Sequence, residues 1–100
     1  MKSVLILMST YNGEKYLKTQ IDSLLAQKNV NVSIVVRDDG STDGTISILN
    51  EYKKRNVLEW YSGKNMGPAG SFLDLIYSAP LGYDYYAFCD QDDYWMEEKH

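Results

Sequence analysis

Apolar and polar positions along this chain alternate between two periods. Val4-Leu5-Ile6-Leu7-Met8 is a continuous apolar run, which suits a strand buried on both faces of a sheet. Ser9-Thr10-Tyr11-Asn12-Gly13 breaks it. Asn12 is placed to cap a helix, and Glu14 suits the positive end of the helix dipole. Leu17, Ile21, Leu24 and Leu25 then recur on one helical face. Val32 to Val36 is rich in β-branched residues and predicts a second strand, ending at Arg37-Asp38-Asp39-Gly40. Ser41-Thr42-Asp43 offers the next cap, and Ile48, Leu49 and Tyr52 give a second helix its apolar side. Val57 to Tyr61 predicts a third strand. After the loop Gly63 to Gly67, Pro68 suits the first turn of a helix, where its missing N–H is harmless. Ala69, Phe72, Leu73 and Ile76 keep helical spacing there. Ala79 to Gly82 closes that helix, and Tyr85-Tyr86-Ala87-Phe88-Cys89 predicts a fourth strand.

Strictly alternating strands and helices imply an α/β fold: a mostly parallel sheet, right-handed crossovers and helices on both faces. Ligands of such sheets bind outside the carboxyl ends of the strands. Here those ends carry Ser9 to Asn12, Asp38-Asp39, and Asp90-Gln91-Asp92-Asp93. The last segment puts three carboxylates within four positions, where they repel one another. A hard divalent cation relieves that repulsion, and Mg²⁺ is commonly held by one or two carboxylates together with substrate phosphates.

Bulk properties narrow the partners. One hundred residues make one small domain or part of a larger one. The net charge of −4, with scattered basic residues, argues against a nucleic-acid surface. Lys53-Lys54-Arg55 is the one basic cluster, and it suits a helix C-terminus. The single cysteine, Cys89, excludes an internal disulfide; in an apolar run it reads as a buried, inert thiol. The first eight residues are too short an apolar stretch for a membrane span and lack a small-residue cleavage site. The chain stops soon after its acidic segment with no turn signal, so it is expected to be truncated from a longer protein.

Several phosphate chemistries do not match. No G-x-G-x-x-G follows the first strand, and Gly63-Lys64 lacks the upstream glycine loop of a P-loop. Counted from Asp90, an EF-hand would need Gly where Trp95 stands. Aspartyl phosphatases and receiver domains place their acids after the first strand, which here ends in Ser9-Thr10.

Four segments together resemble the inverting glycosyltransferases of family 2. They are Ser9-Thr10-Tyr11-Asn12, Asp38-Asp39-Gly40-Ser41-Thr42-Asp43, Asn65-Met66-Gly67 and Asp90-Gln91-Asp92-Asp93, in the family's order and at its usual separations. The resemblance covers essentially the whole chain. The Asp-Gln-Asp-Asp-Tyr-Trp form is similar to that of members that build bacterial surface polysaccharides, rhamnosyltransferase-like ones especially. It implies a GT-A fold, of which residues 1–100 would be the N-terminal, nucleotide-sugar-binding part. By the same resemblance, Asp39 would accept a hydrogen bond from the nucleobase, and Ser9, Thr10 and Tyr11 would wall the base and ribose. Asp92 would hold the metal, with Asp90 as its partner near the ribose. The implied cofactor is Mg²⁺ or Mn²⁺. The implied donor is a UDP- or dTDP-sugar, and the acceptor a carbohydrate or a lipid-linked one. A cytoplasmic location, or one at the inner face of the cell membrane, goes with that chemistry.

Each residue also has a packing role open to it. Asp38 could serve only the turn after its strand, and Asp93 a helix cap or a supporting position. Asn65 and Gly67 could simply shape a loop. Tyr11 and Trp95 could be packing residues rather than platforms for base or sugar. Inversion needs a general base for the acceptor hydroxyl. In the family that carboxylate comes later, beyond residue 100, so this chain is expected to bind donor without turnover. A non-catalytic nucleotide- or metal-binding module on the same scaffold is the rival reading. A phosphotransfer domain with Asp90 as nucleophile is a third, and it predicts a covalent acyl phosphate. An isolated part of a domain exposes apolar faces and a sheet edge, so homo-oligomerisation is expected.

Overall fold

The computed structural model describes residues 2–90, with Asp90 through its backbone alone. Along them run β1 (Lys2–Thr10), α1 (Glu14–Leu25), β2 (Val30–Asp38), α2 (Thr45–Lys54), β3 (Glu59–Ser62), α3 (Gly67–Ser78) and β4 (Tyr85–Asp90). The four strands form one sheet in the order β3-β2-β1-β4, and every pair is parallel. The expected α/β architecture is therefore found. Among the described residues, no helix is long and apolar enough to cross a membrane.

β1 runs through the middle of the sheet, which explains its unbroken apolar run. Side chains alternate across a strand. Val4, Ile6 and Met8 face one side, packing with Ile34 and Val36 of β2, with Leu17, Ile21 and Leu24 of α1, and with Leu49 and Tyr52 of α2. Leu5 and Leu7 face the other side and meet Leu75 of α3, joined by Phe72, Tyr61 and Tyr83. Two of the crossovers, through α1 and α2, step in one direction over one face. The third, through α3, returns across the other face to place β4 beside β1. The direction of winding thus reverses at β1, and its carboxyl end is the crevice where ligands of such sheets sit.

Two expectations about helices change. Asn12 does not cap α1. It adopts φ 48°, Gly13 takes the N-cap position, and no side chain of that residue is available to cap. The inward face of α3 also differs from the apolar spacing. Ser71 and Leu75 are its buried residues, whereas Leu73 and Ile76 are more than half or half exposed. Close approach of α3 to β1 needs a small residue, and the Ser71 hydroxyl meets that of Ser9 at 2.7 Å. β4 is not buried on both faces as β1 is: Tyr85, Tyr86 and Phe88 are exposed, while Cys89 is buried. The reason is position, since β4 ends the sheet with no neighbour on its far side among the described residues. Lys53 and Lys54 do lie in the last turn of α2, as the helix dipole favours.

Candidate functional site

Parallel register gathers the strand ends. Thr10 of β1 stands opposite Asp38 of β2, Asp38 opposite Ser62 of β3, and Ser9 opposite Asp90 of β4. Adjacent strands lie about 4.8 Å apart, so these residues share one rim.

Asp38 is wholly committed to that rim. Its Oδ1 accepts from the Thr10 hydroxyl at 2.8 Å and the Ser41 hydroxyl at 2.6 Å. Its Oδ2 accepts from the backbone N–H of Gly40 at 3.1 Å and of Ser41 at 2.8 Å. Four bonds fill the usual acceptor capacity of a carboxylate, and the residue is buried. Of the two roles open to Asp38, this geometry is that of the turn residue.

Asp39 is buried too, but its bonding is unequal. Oδ1 accepts from Arg37 Nη1 at 2.7 Å and from the Met66 N–H at 2.9 Å. Among the described residues, Oδ2 accepts from the Gly67 N–H alone, at 3.1 Å. Burial pushes this carboxyl up, but the Arg37 hydrogen bond, the Met66 and Gly67 N–H groups and the guanidinium charge outweigh it and hold the group below its usual range. Asn65 Nδ2 donates to the Asp39 carbonyl at 3.0 Å. The Asn65-Met66-Gly67 loop is therefore fastened to the end of β2, and Gly67 makes its turn at φ 77°.

Arg37 is the residue that sequence reasoning passed over. Its side chain is 2% exposed, and it pairs with Asp39 and, through Nε at 2.9 Å, with Asp74 of α3. Nη2 donates to the Lys64 carbonyl at 2.9 Å and lies 3.3 Å from Met66 Sδ. Tyr61 donates its hydroxyl to the same Asp74 oxygen at 2.9 Å. A signal was present: a buried charge must be paired, and Asp39, the first residue past β2, lies two positions from Arg37, near enough to pair with it.

The loops after β1 and β2 are tied together. Thr42 donates its N–H to Asn12 Oδ1 at 2.8 Å, and Asn12 donates its own to the Ser41 hydroxyl oxygen at 2.8 Å. Asp43 accepts from the Thr45 N–H and hydroxyl with one oxygen and from the Glu14 N–H with the other. One carboxylate thus serves the start of both α1 and α2. Ser9 and Thr10 lie on the rim with their hydroxyls turned into the protein, toward Ser71 and Asp38. Tyr11, by contrast, is 44% exposed.

Asp92, Asp93 and Trp95 lie outside the described residues, and Asp90 is described at its backbone only. Among the described residues no group of three or more His, Cys, Asp or Glu could hold a metal ion. Asp38 spends both of its oxygens on protein donors, and Asp39 spends Oδ1. The residue types of Asp90 and Asp92, two hard carboxylates, are of the kind that fits Mg²⁺ or Mn²⁺.

Comparison with known proteins gives this rim a family. The dTDP-rhamnosyl transferase RfbG of Shigella flexneri is 41% identical over 99 residues, 92% of this chain and 34% of that protein. The UDP-Glc:alpha-D-GlcNAc-diphosphoundecaprenol beta-1,3-glucosyltransferase WfaP of Escherichia coli is 32% identical, over 99% of this chain and 39% of that protein. The chain therefore spans little more than a third of the length of these relatives. The structure of S. aureus TarS 1-349 in complex with UDP-GlcNAc matches with a TM-score of 0.78 at 32% identity, over 99% of this chain and 29% of that one. The mannosyltransferase PcManGT from Pyrobaculum calidifontis, in complex with GDP-Man and Mn²⁺, shares the fold at a TM-score of 0.76 and 22% identity, over 89% of this chain and 27% of that one. The parallel sheet with its helices is the GT-A arrangement of these structures. The model of "Glycosyl transferase family 2" matches residues 5–100, and this chain belongs to that family.

Proposed function

We propose that this chain is the donor-binding part of an inverting, metal-assisted glycosyltransferase. The enzyme moves a sugar from a UDP- or dTDP-sugar to a carbohydrate or lipid-linked acceptor in cell-surface polysaccharide synthesis. One observation carries the reading: Tyr11, Asp39 and Asp90 follow or end three neighbouring strands at the point where the winding of the sheet reverses.

In this reading the exposed ring of Tyr11 stacks on the base, a contact that any base can make. Asp39 Oδ2, with one bond from the protein, accepts a ring N–H. Ser9 and Thr10 form the base and ribose wall through the rim they frame, held rigid by Ser71 and Asp38. Asp90 lies toward the ribose, and Asp92 with Asp90 would hold the divalent cation. That cation supplies charge neutralisation to the departing nucleoside diphosphate. The general base for the acceptor is expected downstream of residue 100, so residues 1–100 bind donor without turnover. Sugar transfer by this chain alone would overturn that last clause.

The test is calorimetric titration of the chain with UDP and with dTDP, each with and without Mn²⁺, repeated on Asp92→Asn. Metal-dependent binding that is lost in the variant is expected. Binding that ignores both Mn²⁺ and the substitution would overturn the assignment of Asp92.

A further inference from the structure

We infer that Arg37 sets the nucleobase this site accepts, by filling Oδ1 of Asp39 and leaving a single acceptor for a base with one ring N–H, a uridine or thymidine nucleotide rather than a guanosine one. The inference rests on the reading of Asp39 as the residue that meets the base.

The two GT-A structures above hold different nucleotides, UDP-GlcNAc in one and GDP-Man in the other. The fold does not choose between them, so the choice falls to side chains. A carboxylate has two oxygens, each able to accept about two hydrogen bonds. Guanine presents N1–H and its 2-amino group side by side, and a carboxylate with both oxygens open takes them as a pair. Here Oδ1 already accepts from Arg37 and Met66, and only Oδ2 has capacity left. A 2,4-dioxopyrimidine has one imide N–H between two carbonyl groups and asks for one acceptor. Guanine on the same oxygen would leave its second donor unpaired in a buried setting, which is costly.

Arg37 is not easily displaced to admit guanine. Its guanidinium also bonds Asp74 and the Lys64 carbonyl, and it lies so close to Gly63 that a Cβ there would collide with it. Turning the Asp39 carboxylate would break its bonds to Arg37, Met66 and Gly67 together. Arg37 touches no base in this arrangement. It acts through Asp39, as a positioning residue.

The test titrates the chain in Mn²⁺ with UDP, N3-methyl-UDP and GDP, then repeats this on Arg37→Lys and Asp74→Asn. UDP is expected to bind more tightly than GDP or N3-methyl-UDP by about tenfold or more, the effect of one unpaired donor or one lost bond. Asp74 is 41% exposed in its side chain, so Asp74→Asn is expected to stay folded while freeing one end of the guanidinium. The UDP-to-GDP ratio should then fall toward unity in either folded variant. An Arg37 with only a structural task would weaken both nucleotides alike and leave that ratio unchanged, which would overturn the inference. GDP binding the unaltered chain as tightly as UDP would overturn it too, with the donor-site reading intact. A folded chain that binds none of the three would remove the donor-site reading and this inference with it.

Discussion

Asp38 and Asp39 are chemically identical neighbours that the backbone assigns to different tasks. Asp38 closes a turn with four bonds, while Asp39 joins Arg37 to the loop before α3 and keeps one oxygen underused. The difference has a pH signature. Burial raises the Asp39 carboxyl, but Arg37 and two backbone N–H groups override this and depress it. An unfolded aspartate titrates near about 3.9. The native state therefore binds fewer protons than the unfolded one in the acid window. The stability contributed by Asp39 is fully present above the unfolded value and is lost as pH falls through the depressed folded one. Asp39→Asn is expected to lower stability at neutral pH and flatten the acid limb, measured by urea denaturation across pH. An acid limb as steep as that of the unaltered chain would refute this. Asp43, half-buried and also depressed because the Thr45 and Glu14 bonds outweigh its desolvation, keeps part of the slope in the variant. At this scale the sequence named the acids at each strand end but not their partners. Arg37 meets Asp74, which is 37 residues away, and no local pattern announces that pairing.

At the level of elements, the alternation of strands and helices was legible because β1 is buried on both faces, and β2 toward its carboxyl end, and both spell it in apolar residues. The start of α1 was not. Its cap is supplied by Asp43, 29 residues further on, while Asn12 reaches across to Thr42. Local capping rules see only the adjacent residue. The apolar spacing of α3 was legible, but which side faces inward was not, since Ser71 rather than a larger residue fits against Ser9. The turn into α3 offers a clean test. Gly67 has φ 77° and open space around a hypothetical Cβ, so Gly67→Ala carries a backbone penalty without a clash. A loss of about 1 kcal/mol is expected, read by thermal melting. A variant as stable as the original would show that the turn relaxes to another conformation.

At the scale of the whole molecule, the main feature of the described residues is an exposed apolar side. Leu73, Ile76 and Tyr77 of α3, Leu81 after it, and Tyr85, Tyr86 and Phe88 of β4 are all exposed. Leu7, Ile76, Ala79, Leu81, Tyr86 and Phe88 line a small apolar cavity of about 250 Å³ there. A net charge of −4 gives modest repulsion against contacts of this kind. The isolated chain is expected to self-associate reversibly, seen in sedimentation velocity as a weight average that rises with concentration. Replacing Leu81 and Phe88 by glutamate should suppress it; an unchanged profile would place the contact elsewhere. The loops after β1 and β2 are tied down by the knot between Asn12, Ser41 and Thr42, and by the bond from Glu14 to Asp43. In any redesign of this chain, that knot makes the loops after β1 and β2 one unit: replacing either alone leaves half a lock, and only the two exchanged together keep it closed.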